Sequence, residues 1–269
     1  MSIITLLTDF GAGSPYVAAM KGVILSINPA VTLVDLTHGV PPQDVREGAL
    51  LLEEVAEYFP PATIHVAVVD PGVGTERAIV YAQIGSQRYV APDNGLLSRL
   101  SRKTPPTRVV RLTNPHYWRL PVSATFHGRD IMAPVAARLS LGLDPALLGE
   151  PLAGLTTLDW PPVRVTPGRV EGAVLRIDSF GNLITNIGRA LLDSLPAARW
   201  QTTCRGRTID GLAETYGQAP PGTFVAVIGS TGRLELALVQ GSAAAALGAH
   251  VGDEVMVAGS VSAHSATTA

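Results

Sequence analysis

The sequence predicts an α/β N-terminal domain built on a mostly parallel sheet, followed by a small C-terminal β-barrel domain. Two observations carry this reading. Through the first half, short apolar runs alternate with stretches of helical periodicity, the pattern of a parallel sheet covered on both faces. After a proline-rich stretch, the texture changes to short β-like runs separated by turn signals. The expected boundaries are 1–150 for the α/β domain, 151–167 for a linker, 168–259 for the barrel and 260–269 for a flexible tail.

Residues 2–8 are rich in Ile and Leu and read as a strand buried on both faces. This apolar start has no basic region and reaches Asp9 within a few residues, so it reads as a strand rather than a signal peptide. The span Pro15–Ile27 places Val17, Met20, Ile24 and Ile27 at helical spacing, and Asn28-Pro29 stops it. Residues 31–36 read as a second buried strand, and Asp44 as the N-cap of a helix carrying Ala49, Leu52, Val55, Ala56 and Phe59 on one face. Residues 64–69 and 78–84 read as a third and a fourth strand. Their connection is too short for a crossover helix, so the two are expected to pair antiparallel. Helices around 95–100 and over 130–141, the latter capped by Asp130, complete the domain.

Pro151, Pro161, Pro162 and Pro167 mark the linker. Beyond it, residues 170–177, 183–185, 200–203, 224–228, 234–239 and 254–258 read as strands.

Of the 269 residues, 46% are hydrophobic and 16% charged, against about 25% charged in an average globular domain. So low a charged fraction points to surface buried in an oligomer. A net charge of −2 argues against nucleic acid or an acidic membrane as partner. The single cysteine, Cys204, excludes an intrachain disulfide and reads as a buried structural thiol. No apolar run approaches the roughly 20 residues of a membrane span, so a soluble, cytoplasmic protein is expected.

Polar residues gather where the strands of the first domain end: Thr8-Asp9, Asp35 with His38, and Asp70. Ligands of open α/β sheets collect at the carboxyl ends of strands. Any one of these aspartates can equally cap a turn, but three together favour a site. In Asp70-Pro71-Gly72-Val73-Gly74-Thr75-Glu76-Arg77 the Pro and Gly residues let the chain turn tightly, so that Arg77 can return to Asp70 as an ion pair. On sequence alone that pair is as readily a surface salt bridge. The loop lacks a full phosphate-binding pattern. His127, on a glycine-flanked loop before a helix, is a general-base candidate. No metal-ligand spacing occurs, and no metal or other cofactor is expected. In the second domain, Asp178-Ser179-Phe180-Gly181-Asn182 and Gly229-Ser230-Thr231-Gly232-Arg233-Leu234-Glu235 interrupt the β-like runs. They read equally as plain turns and as an aromatic, an amide and a hydroxyl presented to a ligand.

Taken in order, Thr8-Asp9-Phe10-Gly11, Val69-Asp70-Pro71-Gly72-Val73-Gly74 with Arg77, Phe126-His127-Gly128-Arg129-Asp130, Ser179-Phe180-Gly181-Asn182 and Gly229-Ser230 resemble the S-adenosylmethionine hydroxide adenosyltransferase family, relatives of the fluorinases and chlorinases. The resemblance runs from Ile3 to about Val257. It implies hydrolysis of S-adenosyl-L-methionine to adenosine and methionine, with Asp70, Arg77 and His127 supplying the water. It also implies a homotrimer, with each site formed where one subunit's N-terminal domain meets a neighbour's C-terminal domain. Asp9 would bind the ribose hydroxyls. Asp178, Phe180 and Asn182 would line the adenosine and methionine pocket, and Ser230 would contact the methionine end, with Glu235 as a further member. Arg233 stands where many relatives carry an aromatic.

Halogenases resemble the chain at Asp9, Phe180 and Asn182 but carry Tyr in place of Asp70 and Tyr-Ser in place of His127-Gly128. Their extra N-terminal loop has no room in 97–109. Two other readings stay open: a non-catalytic adenosine or S-adenosylmethionine binder with a structural ion pair, and a 5′-halogenase.

Overall fold

The structure, a computed structural model, describes residues 2–195 and 199–260. The expected tail from 261 onward lies outside the described residues. The chain divides into two compact units, the first ending at Leu158 and the second beginning at Asp159.

In the first unit β1 (Ile3–Thr8), β2 (Thr32–Thr37), β3 (Ile64–Val68), β4 (Ile79–Ile84), β5 (Gln87–Pro92) and β6 (Pro106–Arg111) form one sheet in the order β2-β1-β3-β5-β4-β6. The pairings β1–β2, β1–β3 and β3–β5 are parallel, and β4 pairs antiparallel with β5 and β6. The sheet is therefore mostly parallel. The expected antiparallel pairing of the third and fourth strands is not made, because β5 lies between them. The turn at Gly85, with φ 57°, folds β4 back onto β5. Gln87 obscures β5 in the sequence, since its buried amide is spent on the carbonyls of Ala56 and Phe59. The second strand is not buried either: β2 is an edge strand with Thr32 and Asp35 exposed.

Helix α1 (Pro15–Ile27) starts at Ser14, whose hydroxyl accepts from the Tyr16 amide, and ends where Asn28 meets Pro29. Asp44 caps α2 (Val45–Ala56) through the Glu47 amide. The next helix, α3 (Ser98–Lys103), begins later than its sequence suggests, after Gly95 at φ 98°. A wide π turn, Gly128–Met132, leads into α4 (Ala133–Ser140). Asp130 lies inside that turn and does not cap the helix. Period-two alternation puts Ile4 and Leu6 of β1 in the cluster built with Met20, Ile24 and Val135 of α1 and α4. Leu7 faces the other way, where α2 packs on β1 and β3.

The proline-rich stretch is shared between the units. Pro151 bridges Val110, and Leu158 packs over Gly95 where no Cβ would fit. From Asp159 the chain belongs to the second unit, and the Pro161 carbonyl accepts from Asn186.

The second unit holds β7 (Arg164–Thr166), β8 (Arg169–Ile177), β9 (Leu183–Gly188), α5 (Arg189–Asp193), β10 (Arg199–Cys204), β11 (Arg207–Asp210), β12 (Phe224–Ile228), β13 (Arg233–Leu238), α6 (Ala243–Leu247) and β14 (Glu254–Ser260). The antiparallel order β11-β10-β14-β8-β9-β13-β12 is nearly closed: just beyond β11, Ala213 bridges Val227 of β12 and donates to Ala226 O at 2.8 Å. Val174, Leu183, Leu234, Leu236 and Val255 fill the barrel-like interior, together with the buried thiol of Cys204. The closed edge explains why so small a unit needs few helices.

Candidate active site

Asp70 lies just past the end of β3, a central strand flanked by β1 and β5. A carboxylate there is held at the rim of the sheet by a rigid strand. The following loop returns Arg77 to it: Nε donates to Oδ1 at 2.9 Å and to Oδ2 at 3.0 Å, and Nη2 donates to Oδ2 at 2.5 Å. The side chains are only 12% and 5% exposed, so this is not the solvated surface bridge that the sequence also allowed. Partly buried forks of this kind are charge-assisted and directional.

Arg77 Nη2 also reaches His127 Nδ1 at 2.9 Å. A guanidinium has only donors, so Nδ1 must accept and the neutral ring carries its hydrogen on Nε2. Burial, and next the Arg77 charge, hold the His127 imidazolium below its ordinary pKa, against the opposing carboxylates of Asp70 and Asp130. The ring is thus kept neutral.

Asp9 follows β1 and accepts the Gln43 amide on Oδ2 at 2.8 Å. Gln43 adopts φ 65°, a backbone conformation costly for a residue with a Cβ, in order to present that amide. Beside it, Thr8 Oγ1 accepts from the Phe10 amide and contacts His38 Nδ1 at 2.9 Å. His38 Nε2 lies 3.1 Å from Asp35, which Lys21 meets at 2.6 Å. Burial works to raise Asp35, but the hydrogen bonds from Lys21 and His38 prevail and hold it below the ordinary carboxylate value.

Asp9, Asp70 and His127 open into one cavity of about 410 Å³, walled by Phe10, Tyr16 and Phe126. The three rings meet edge to face, Tyr16 and Phe126 at 5.2 Å. Arg77 stands behind the carboxylate and imidazole, outside the lining. The volume suits a small molecule.

In the second unit, Asp178 Oδ1 accepts the amides of Phe180 and Asn182, and Oδ2 accepts Asn182 Nδ2, all at 2.9 Å. This turn, with Gly181 at φ 82°, leaves the Phe180 ring 76% exposed. Asp178, Phe180 and Asn182 line a cavity of about 750 Å³ with Tyr216 and Gln240. Glu235 is buried and accepts the Tyr216 hydroxyl at 2.5 Å. Burial and next that bond push the Tyr216 phenol up. Ser230 is exposed on the β12–β13 turn and is not among the residues lining the cavity.

Sequence reasoning missed Tyr216, whose only signal is an isolated aromatic in the polar stretch Thr215-Tyr216-Gly217. It also missed the aromatic wall and the true place of Asp130. Among the described residues, no group of three His, Cys, Asp or Glu is placed to hold a metal ion. A separate cavity of about 300 Å³ near α2 and α3 is lined by Glu53 and by the Lys103–Glu57 ion pair and by none of the candidate residues.

Residues 4–149 match the SAM hydroxide adenosyltransferase N-terminal domain and residues 172–256 its C-terminal domain. The chain is 43% identical over 256 residues to the (R)-S-adenosyl-L-methionine hydrolase of Thermus thermophilus, covering 92% of this chain and 96% of that one. It is 40% identical to the enzyme of the same name from Salinispora tropica, covering 94% and 97%. A fluorinase of an Actinoplanes species is 30% identical, covering 87% and 90%. Among solved structures, an uncharacterized conserved protein from Thermotoga maritima superposes with a TM-score of 0.89 at 34% identity, covering 95% of this chain and 99% of that one.

Proposed function

The chain belongs to the SAM hydroxide adenosyltransferase family, and on that premise we propose that it hydrolyses S-adenosyl-L-methionine to adenosine and L-methionine by attack of water on C5′. S-Adenosyl-L-methionine is the substrate and no separate cofactor is required. The observation that carries the reading is the Asp70–Arg77–His127 set, with its carboxylate and imidazole facing a small-molecule cavity.

The sulfonium departs as a neutral thioether, so no general acid is needed. The oxygen of water forms a bond to C5′, the C5′–S bond breaks with its electron pair going to sulfur, and one proton is lost from water. Because His127 Nδ1 accepts from Arg77, its Nε2–H holds the water oxygen, and Asp70 receives the proton on a lone pair that Arg77 leaves free. Arg77 locks both groups from behind. In-line placement of that water is the main contribution asked of the site.

Asp9 keeps Oδ1 for the ribose hydroxyls. The exposed Phe180 ring and the amide of Asn182, steadied by Asp178, suit the adenosine and methionine groups. Ser230 would contact the methionine end, and Glu235 would serve the site through Tyr216, whose hydroxyl it accepts. Two open cavities, one in each unit, and a 16% charged composition support a homotrimer in which one subunit's first unit completes its site with a neighbour's second unit. No helix of the described residues is long and apolar enough to cross a membrane, which fits a cytoplasmic location.

The hydrolase relatives are named for the (R)-sulfonium form, and we assign that form as the preferred substrate. Purified protein incubated with each sulfonium diastereomer, with and without chloride, tests the reading. Adenosine and methionine should form from the (R) form irrespective of halide. Saturable binding without methionine release would instead indicate a binding protein, and 5′-chloro-adenosine a halogenase. The Asp70 carboxylate repels an anion where a halogenase must hold one.

A further inference from the structure

We propose that Asp130 is the positioning residue for His127, acting through the loop it closes and not through contact with substrate; the proposal rests on the hydrolytic reading above. The Asp130 side chain is fully buried, 0% exposed. It accepts from the Ser123 amide at 2.9 Å, from Arg119 Nη1 at 3.1 Å, and from Arg129 Nε and Nη2 at 2.7 Å each. Its backbone is engaged as well: Asp130 O accepts the Arg119 amide at 2.7 Å, and its own amide donates to Phe126 O at 3.1 Å. A helix cap needs only one or two amides of its own first turn. A buried carboxylate answering two guanidiniums and an amide seven residues upstream is a different device, one that ties both ends of a loop.

That loop carries His127. The Ser123 amide fixes its entry, and the π turn fixes its exit. Between them, the Arg129 guanidinium held by Asp130 sits 4.8 Å over the Phe126 ring, which in turn packs edge-on against Phe10 and Tyr16. On the other side, Ala124 O lies so close to Gly74 that a Cβ there would not fit, and Gly74 belongs to the loop joining Asp70 to Arg77. The 123–130 span is therefore clamped between the aromatic wall and the Asp70–Arg77 loop, which sets the 2.9 Å approach of His127 to Arg77. Misplacement of a reacting group by about 1 Å costs about 10²-fold in rate, so the clamp should be visible in turnover.

The test measures kcat, KM and the thermal midpoint of Asp130→Asn, His127→Ala and the double variant. Asp130→Asn should lower kcat at least about tenfold with KM changed by less than about threefold. If Asp130 acts only through His127, the double variant should be no more than about twofold slower than His127→Ala alone. A merely structural loss would multiply instead, and multiplying losses overturn the proposal, as does a folded Asp130→Asn with wild-type kcat. A His127→Ala enzyme at wild-type rate overturns the hydrolytic assignment of the triad, and this proposal with it. If Asp130→Asn does not fold, Arg129→Lys, which keeps the charge but loses the fork, should lower kcat about threefold or more with the same non-additivity. Full activity in that variant overturns the proposal.

Discussion

The cavity in the first unit and the cavity in the second are built differently. In the first, the Asp70 and Arg77 side chains are nearly buried, His127 is partly buried, the three are joined by bonds of 2.5–3.0 Å, and they are backed by the fully buried Asp130 carboxylate. In the second, a five-residue turn organised by Asp178 presents a Phe180 ring that is 76% exposed. The first has its polar groups oriented in advance of substrate, which is what chemistry requires. The second offers flat area and an amide edge, which is what recognition requires. On the proposed shared site, the contrast assigns the cost of changing each cavity to a different kinetic constant.

The largest effects should therefore come from the first cavity. Asp70→Ala should lower kcat by about 10²–10⁴-fold, with Arg77→Ala and His127→Ala each at least about tenfold down and KM little changed. Steady-state kinetics at saturating substrate checks this, and a large rise in KM alone would erase the distinction between the cavities. Changes in the second should behave oppositely: Phe180→Ala or Asn182→Ala should raise KM about tenfold, about 1.4 kcal/mol, and leave kcat within about threefold. A calorimetric titration with adenosine would show the same loss.

Acid should separate stability from activity in the first unit. Burial pushes His65, stacked on Tyr89 at 5.0 Å and 2.8 Å from Thr5 Oγ1 through Nδ1, down to about 4. The unfolded state takes up that proton first, so stability is present above pH 6.5 and is lost as pH falls towards 4, by about 3 kcal/mol at most. Urea midpoints measured across this range should flatten in His65→Gln. The neutral His127 ring, also held below its ordinary value, should keep kcat level as pH falls through that value, with the decline coming only in more acid solution. The smallest effect should come from Gln43→Gly, which relieves the positive φ while retaining the amide to Asp9. It should gain up to about 1 kcal/mol of stability, read from the urea midpoint.

What was legible in the sequence was what local chemistry encodes. Asp70 ends an apolar run and Arg77 follows a Pro-Gly turn, so their pairing could be drawn without coordinates. Ser14 and Asp44 announce their helices, and most barrel strands show as alternating runs. What was hidden depends on partners distant in sequence. Asp130 before a helix reads as an N-cap until Arg119 and Ser123 are seen to converge on it. Strand β5 hides behind Gln87, and β2 looks buried until its edge position is known. Tyr216 acquires meaning only beside Glu235, nineteen residues on. The choice of His127 tautomer likewise needed the Arg77 contact.

If Asp70 and His127 deliver water to C5′, the 5′ oxygen of the product comes from solvent. The most direct measurement is the mass of the product formed from S-adenosylmethionine in heavy-oxygen water containing chloride, with wild type and Asp70→Ala side by side. Wild type should yield adenosine carrying one heavy oxygen at its 5′ position, released with unlabelled methionine, and Asp70→Ala should be nearly silent. A 5′-chloro product, or an Asp70→Ala enzyme as fast as wild type, would contradict that delivery of water.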